Sequence, residues 1–315
     1  MLSFFRKKTN AVPEWADFFD EKEYTRFIQE IEQYFNSRNI PHRLNNGMIE
    51  LDENDVFEFG NMGLMNVAQV CKQADKKEYR EIINDHFNTM IRTRQFQKEF
   101  DAISHDFEQI KQFIGVRLYN SDYIAHLGKE LTIGKEFAGD IYAMVVFDFP
   151  DSVSNVKLEQ MEAWNKTPQE LFELGVANIK LNYQSSITKE PVGEESIWFV
   201  HGEHFFTPNV VFELEERKEL VGSKGALIGL PHRHSALIYP IESMEVVSMI
   251  NTLIPIIYGM HNEGPGSLSD QLFWYKDGTF TQLPYEIGEQ NIRFYPPENF
   301  VEFLDEAAGE GPSLN

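Results

Sequence analysis

A chain of 315 residues, 42% hydrophobic and 13% aromatic with 26 Phe, has the material for a sizeable core and is excluded from the disordered class. Its 28 Lys and Arg stand against 50 Asp and Glu, a net charge of −22 that repels nucleic-acid phosphates and anionic lipid headgroups, so no nucleic-acid binding is expected. The single cysteine, Cys71, excludes an intrachain disulfide and a cysteine-rich zinc site and fits a reducing, cytoplasmic compartment.

Residues 1–8 carry their apolar side chains before their charges, the reverse of a secretory signal. Over 14–37 the spacing predicts a helix, with Tyr24, Phe27, Ile28, Ile31, Tyr34 and Phe35 on one face and Pro41 beyond its end. The short apolar runs 48–51 and 56–59, separated by an acidic quartet, predict a hairpin. Gly60 opens a second helix with Leu64, Val67, Ala68 and Cys71 on one face, and 76–114 holds one or two more. After Gly115 the texture turns strand-rich, with strands at 116–119 and 141–147, the second apolar enough to be covered on both faces.

Thr167, Pro168 and Glu170 form a capping signature for a helix over 167–182. A strand at 196–200 precedes a second cap-then-proline start, Thr207-Pro208, which predicts a helix stopping at Gly222. Strands at 226–230 and 235–240 flank Pro231-His232-Arg233-His234. The most hydrophobic stretch, 244–260, contains Glu245, Asn251 and Pro255 and falls short of the ~20 apolar residues of a membrane span, so it predicts a buried helix and no transmembrane segment. Runs 271–275 and 279–285 make a hairpin around Asp277-Gly278. The fold class is therefore α+β: a helix-rich part with a short hairpin over 1–115, a mixed or antiparallel sheet with packed helices over 116–300, and an acidic, partly disordered tail at 301–315. One continuous domain is the alternative.

From Asp148 onward the chain resembles the YtpQ-like family of uncharacterised bacterial proteins. The resemblance rests on Asp148-Phe149-Pro150-Asp151-Ser152, on residues 164–171, on Ala177-Asn178 and on Ile228-Gly229-Leu230-Pro231-His232-Arg233, with 59–68 also similar. It covers about two thirds of the chain, in patches. It implies a bacterial cytoplasmic α+β protein without an established activity, and marks Asp148, Asp151 and Arg233 as family-like positions. In the family the proline-X-arginine is followed by an acidic residue, whereas His234 stands there in this chain.

Two groups of side chains offer chemistry. His201, Glu203 and His204 follow one strand, and His232 and His234 edge another; if those ends meet, imidazoles and a carboxylate suit a divalent metal with an open position for water. Loop histidines are the plainer reading. Asp148 and Asp151 flank Pro150 at a strand end, where carboxylates act as acids, bases or, with Asp140, magnesium ligands; they are also ordinary turn residues. Cys71 reads as a small buried apolar residue. Residues 259–266 are glycine-rich without a phosphate-binding Lys-Ser/Thr, which predicts a loop over a cleft. No nucleophile elbow, nucleotide fingerprint or kinase signature occurs. Three functions remain: a non-enzymatic binding protein using its acidic surface on a basic protein partner, a metal-dependent hydrolase using the histidines, and a small-molecule-binding regulator with its pocket between the two halves.

Overall fold

A computed structural model describes residues 12–52, 54, 56–57, 60–264, 266–288 and 291–309. The chain divides into two compact units, Met1–Ala102 and Ile103–Asn315.

In the first unit, helix α1 (Glu21–Ser37) begins where Asp20 caps it. The Glu23 amide donates to the Asp20 carboxylate at 2.7 Å and the Asp20 amide donates to the Glu23 carboxylate at 2.8 Å. That reciprocal pair sets a later start than periodicity alone predicts, and Glu14–Ala16 is a separate 3-10 turn. The inward face carries Phe27, Ile31, Tyr34 and Phe35. The hairpin differs from expectation. Strand β1 (His42–Asn45) pairs with β2 (Met48–Leu51) across Asn46-Gly47, whose φ values of 43° and 80° suit a two-residue turn twisted like its strands. Strand β3 (Asn61–Gly63) joins the other side of β2. Val56 and Phe57 lie outside strands, Phe57 being buried in the core, and 58–59 fall outside the described residues. Helix α2 (Met65–Gln73) then buries Val67, Ala68 and Cys71, and burial pushes the Cys71 thiol up to about 12, which makes it a poor nucleophile. Helix α3 (Tyr79–Ile103) contributes Phe87, whose ring lies 4.9 Å from those of Tyr34 and Phe35.

The second unit is α+β, and its described strand pairs are antiparallel. After the short helix α4 (Phe107–Ile110) comes β4 (Ile114–Asn120), then helix α5 (Ser121–Leu127), β5 (Gly134–Ala138), β6 (Ile141–Phe149) and β7 (Ser152–Asn155). Strand β6 is central, with β4 along one side and β5 and β7 sharing the other. Its nearly unbroken burial accounts for its nearly unbroken apolar sequence. Helices α6 (Leu158–Ala163) and α7 (Pro168–Asn182) follow. Thr167 and Glu170 cap α7 reciprocally, at 3.2 Å and 2.8 Å, with Pro168 in the first turn. This helix packs on β4 at an unusually close approach, Gly175 lying over Gly115.

A six-stranded sheet completes the unit, built from β8 (Ser186–Val192), β9 (Glu195–His201), β10 (Ala226–His232), β11 (Ser235–Pro240), β12 (Leu272–Lys276) and β13 (Thr279–Leu283) in the order β13-β12-β10-β11-β9-β8. Between β9 and β10 the expected helix is instead a 3-10 run, Thr207–Glu213. Thr207 is buried and donates to the His204 carbonyl at 3.2 Å, so it caps nothing. Gly222 stops no helix either; it bridges to Gly225. Helix α8 (Val246–Glu263) lies on the sheet with Ile257 against Gly229, and carries Pro255 on its exposed face. Among the described residues no helix is long and apolar enough to cross a membrane. Asp277 and Gly278 turn the β12–β13 hairpin with φ of 48° and 79°. After the small hairpin β14 (Tyr285–Ile287) and β15 (Ile292–Phe294), the acidic end forms helix α9 (Glu298–Gly309), which sets Phe300 and Phe303 against Trp274 at 5.1 Å and 5.0 Å. Residues 310–315 lie outside the described residues.

Candidate functional site

Strand register builds the site. Arg117 pairs with Met144 and Tyr119 with Tyr142 between β4 and β6, while Asp148 pairs with Val153 and Val146 with Asn155 between β6 and β7. Partners across an antiparallel pair share a face, and so do alternate residues along a strand. Arg117, Tyr119, Asp148, Val153 and Asn155 therefore stand on one face of the four-stranded sheet.

The turn between β10 and β11 brings Arg233 to the same place. Arg233 Nε donates to His234 Nε2 at 3.0 Å, so His234 carries its hydrogen on Nδ1, which faces the Gly202 carbonyl at 3.2 Å. Burial, with Arg233 beside it, holds His234 below the usual imidazole pKa, and the neutral ring serves as an acceptor for the guanidinium. The Arg233 side chain passes over Gly266 (φ +69°), where a Cβ would sit 2.6 Å from Arg233 Cδ. Of the glycine-rich segment, 259–263 is the last part of helix α8 and not the expected loop; Gly266 beyond it edges a cleft.

That cleft encloses about 380 Å³ and is lined by Arg117, Tyr119, Tyr123, Asn155, Arg233 and Ser267 among others. The Arg233 and Arg117 guanidiniums lie 4.5 Å and 5.3 Å from the Phe205 ring centroid, and Arg117 lies 4.6 Å from that of Tyr119. Such contacts are each worth about 0.5–1 kcal/mol. Neither arginine forms an ion pair among the described residues, and Arg117 Nε is buried without a hydrogen-bond partner. Burial and the neighbouring Arg117 lower the Arg233 pKa, though a guanidinium stays charged.

A second cleft of about 340 Å³ shares Val153 with the first and has Phe205 in its wall. Here Tyr183, just past α7, donates to Asp148 Oδ2 at 2.8 Å. Burial raises the Asp148 pKa against the pull of that hydrogen bond, and burial together with Asp148 raises that of Tyr183. His204 stands 4.8 Å from the Tyr183 ring; the Phe206 amide donates to its Nδ1 at 3.2 Å, which leaves its hydrogen on Nε2 facing Ser185 Oγ at 3.4 Å. Glu203 and Asp151 line the same cleft. A third cleft, of about 230 Å³, shares Tyr183, His204 and Phe206 with the second and is also lined by Asn209.

The histidine-bearing strand ends do adjoin, His201 lying opposite Ser235 across β9 and β11. Their rings disperse. His201 stacks on Phe199 at 5.3 Å, His204 turns to Tyr183, and His232 and His234 are 6.3 Å apart. Among the described residues no three His, Cys, Asp or Glu side chains group as a metal set. Asp140 accepts from Ser269 Oγ at 2.6 Å and from Asn120 Nδ2 at 3.0 Å at the start of β6, eight residues or about 27 Å from Asp148, so those carboxylates share no site. Arg117, Phe205 and Tyr183 escape sequence reasoning; the only available signal was one charge inside the apolar run 116–119.

His232 makes the region pH-sensitive. Burial, helped by His234, Arg233 and His261, lowers its pKa to about 4. The unfolded chain protonates near pH 6.5 while the folded one stays neutral, so stability falls as pH drops from 6.5 toward 4. A half-buried ring contributes about 1–2 kcal/mol of loss between pH 7 and pH 5. Thermal melts at the two pH values read it: His232→Gln shrinks the difference, and an undiminished difference contradicts the assignment.

No family model, no curated protein and no solved structure matches the chain.

Proposed function

We propose that the chain is a binding protein for a small oxyanion-bearing ligand, held by Arg117 and Arg233. One observation carries this reading: two guanidiniums converge on Phe205 without a carboxylate partner, and one of them keeps a buried, unpartnered Nε. With acidic residues exceeding basic ones by 22, an internal carboxylate partner is an easy arrangement to reach. Leaving two cations half-buried and unpaired costs desolvation that an arriving anion offsets. The planar fork of each arginine suits a carboxylate or a phosphate. His234 steadies one edge of Arg233 and leaves the opposite donors for the ligand.

This reading takes up small-molecule binding, in a cleft within the second unit, and gives His232 and His234 supporting roles instead of metal ligation. Kinship with the YtpQ-like family is proposed on its motifs alone; it carries no activity, though Arg233 lies in one of them. Thermal melts in phosphate, acetate or benzoate test the proposal. An anion at a hundred times its Kd stabilises by about 2.7 kcal/mol. The shift is expected to be absent in chloride of equal ionic strength and in Arg233→Gln. An equal shift in that variant would sink it.

A further inference from the structure

Building on the anion site proposed above, we infer that its ligand is amphipathic: a single oxyanion head on Arg117 and Arg233, and an uncharged apolar or aromatic body that crosses Phe205 into the cleft of Tyr183 and His204. Three observations lead there. The arginine cleft and the second cleft share Val153 as a common wall, and Phe205 faces both guanidiniums while lining the second cleft. The two clefts are thus adjoining parts of one trough on one sheet face. Arg117 stands opposite Met144, four residues from Asp148 along β6, so the trough runs about 14 Å between them. An inorganic anion fills only its first end.

The walls beyond Val153 are apolar and aromatic: Phe149, Pro150, Tyr183, Phe205 and Phe206. Such walls favour a flat or aliphatic body by area burial and ring stacking. The charged groups there are of one sign. Asp148, Asp151 and Glu203 line this cleft, so a second negative charge on the ligand is repelled. A hydroxyl or amide at the far end finds the Tyr183–Asp148 pair and the neutral His204. One negative end and one neutral end is the charge pattern that the trough accepts.

Calorimetric titration of the full chain with matched probes tests this. Acetate is compared with 3-phenylpropionate, inorganic phosphate with phenyl phosphate, and 3-phenylpropionate with adipate. The expected result is at least a tenfold gain in affinity from the phenyl body, with a negative heat-capacity change, and no comparable gain for the doubly charged adipate. Whichever head gains identifies the oxyanion as carboxylate or phosphate. Val153→Phe narrows the common wall and should shrink the gain, with Val153→Met as the milder variant if Phe is not tolerated. A gain below threefold, or a full gain in a folded Val153 variant, overturns the inference while leaving the anion site standing, provided the bare heads bind and lose affinity in Arg233→Gln. If no head binds, the anion site falls with it.

Discussion

Arg117→Met is expected to abolish anion binding and to raise the melting temperature of the ligand-free protein. Most substitutions of a half-buried residue destabilise. Here the residue replaced is a charge whose Nε has no partner and whose nearest cation is another arginine. An unpaired buried donor costs about 1–3 kcal/mol. Against that gain stand the lost contacts to Tyr119 and Phe205, at about 0.5–1 kcal/mol each. Methionine keeps much of the side chain's length and its contact with both rings. The net is a stabilisation of about 1 kcal/mol, or about 2–4 °C for a unit of this size. A cation kept at a cost in stability is what a binding site requires. Differential scanning calorimetry with and without phosphate measures both effects. A fall in melting temperature, or retained anion stabilisation, would show that Arg117 serves the fold and not a ligand.

Gly175→Val is expected to cost about 3 kcal/mol or more and to loosen the trough with it. Helix propensity points the other way, since glycine inside a helix is about 1 kcal/mol worse than alanine. Packing decides. A Cβ on Gly175 would stand 2.7 Å from Gly115 C, 2.8 Å from Gly115 O and 2.9 Å from Val116 Cγ2. Two of those atoms are backbone in β4, at the edge of the four-stranded sheet, and do not yield, so α7 must lift away from β4. Ile179 and Tyr183 ride on that helix and its end, so the displacement reaches Asp148. Urea unfolding should show a lower midpoint with an unchanged slope. Gly259 of α8 is the control: nothing lies within 4 Å of its Cβ position, and Gly259→Ala should gain about 0.5–1 kcal/mol. Equal behaviour of the two glycines would mean that α7 is not held at this contact.

These two residues also mark how far the sequence is readable. Local chemistry is legible where it acts locally. The Thr167 cap, the Asp277-Gly278 turn and the apolar run of β6 all stand as their residues predict. Asn46-Gly47 is equally legible as a turn, but its flanking β1 is half-exposed and lacks a clean apolar alternation, and the strand that follows β2 lies at 61–63, past the expected run 56–59. Thr207-Pro208 carries the same signature as Thr167-Pro168 and means something else, because burial turns its hydroxyl to His204. Position beats signature there.

The candidate site was legible only at its edges. The histidine pattern marks the turn in which His234 holds Arg233. Its meaning lay in the register. Only the pairing of β4 with β6 and of β6 with β7 puts Arg117 and Asp148 on one face, and no sequence spacing records that. Phe205 is likewise one Phe among 26 until two guanidiniums are seen to meet on it.

The arginine Nε–Hε resonances give the most direct view of the central claim. In a ¹H–¹⁵N correlation spectrum of the labelled full chain, assigned through Arg117→Met and Arg233→Gln, the Arg117 signal reports a donor that has no partner in the ligand-free protein. Titration with phosphate or phenyl phosphate should shift the Arg117 and Arg233 signals together, in a saturable way, and slow their exchange with water. If both remain unmoved while the anion is at saturating concentration, Arg117 and Arg233 do not form an anion site.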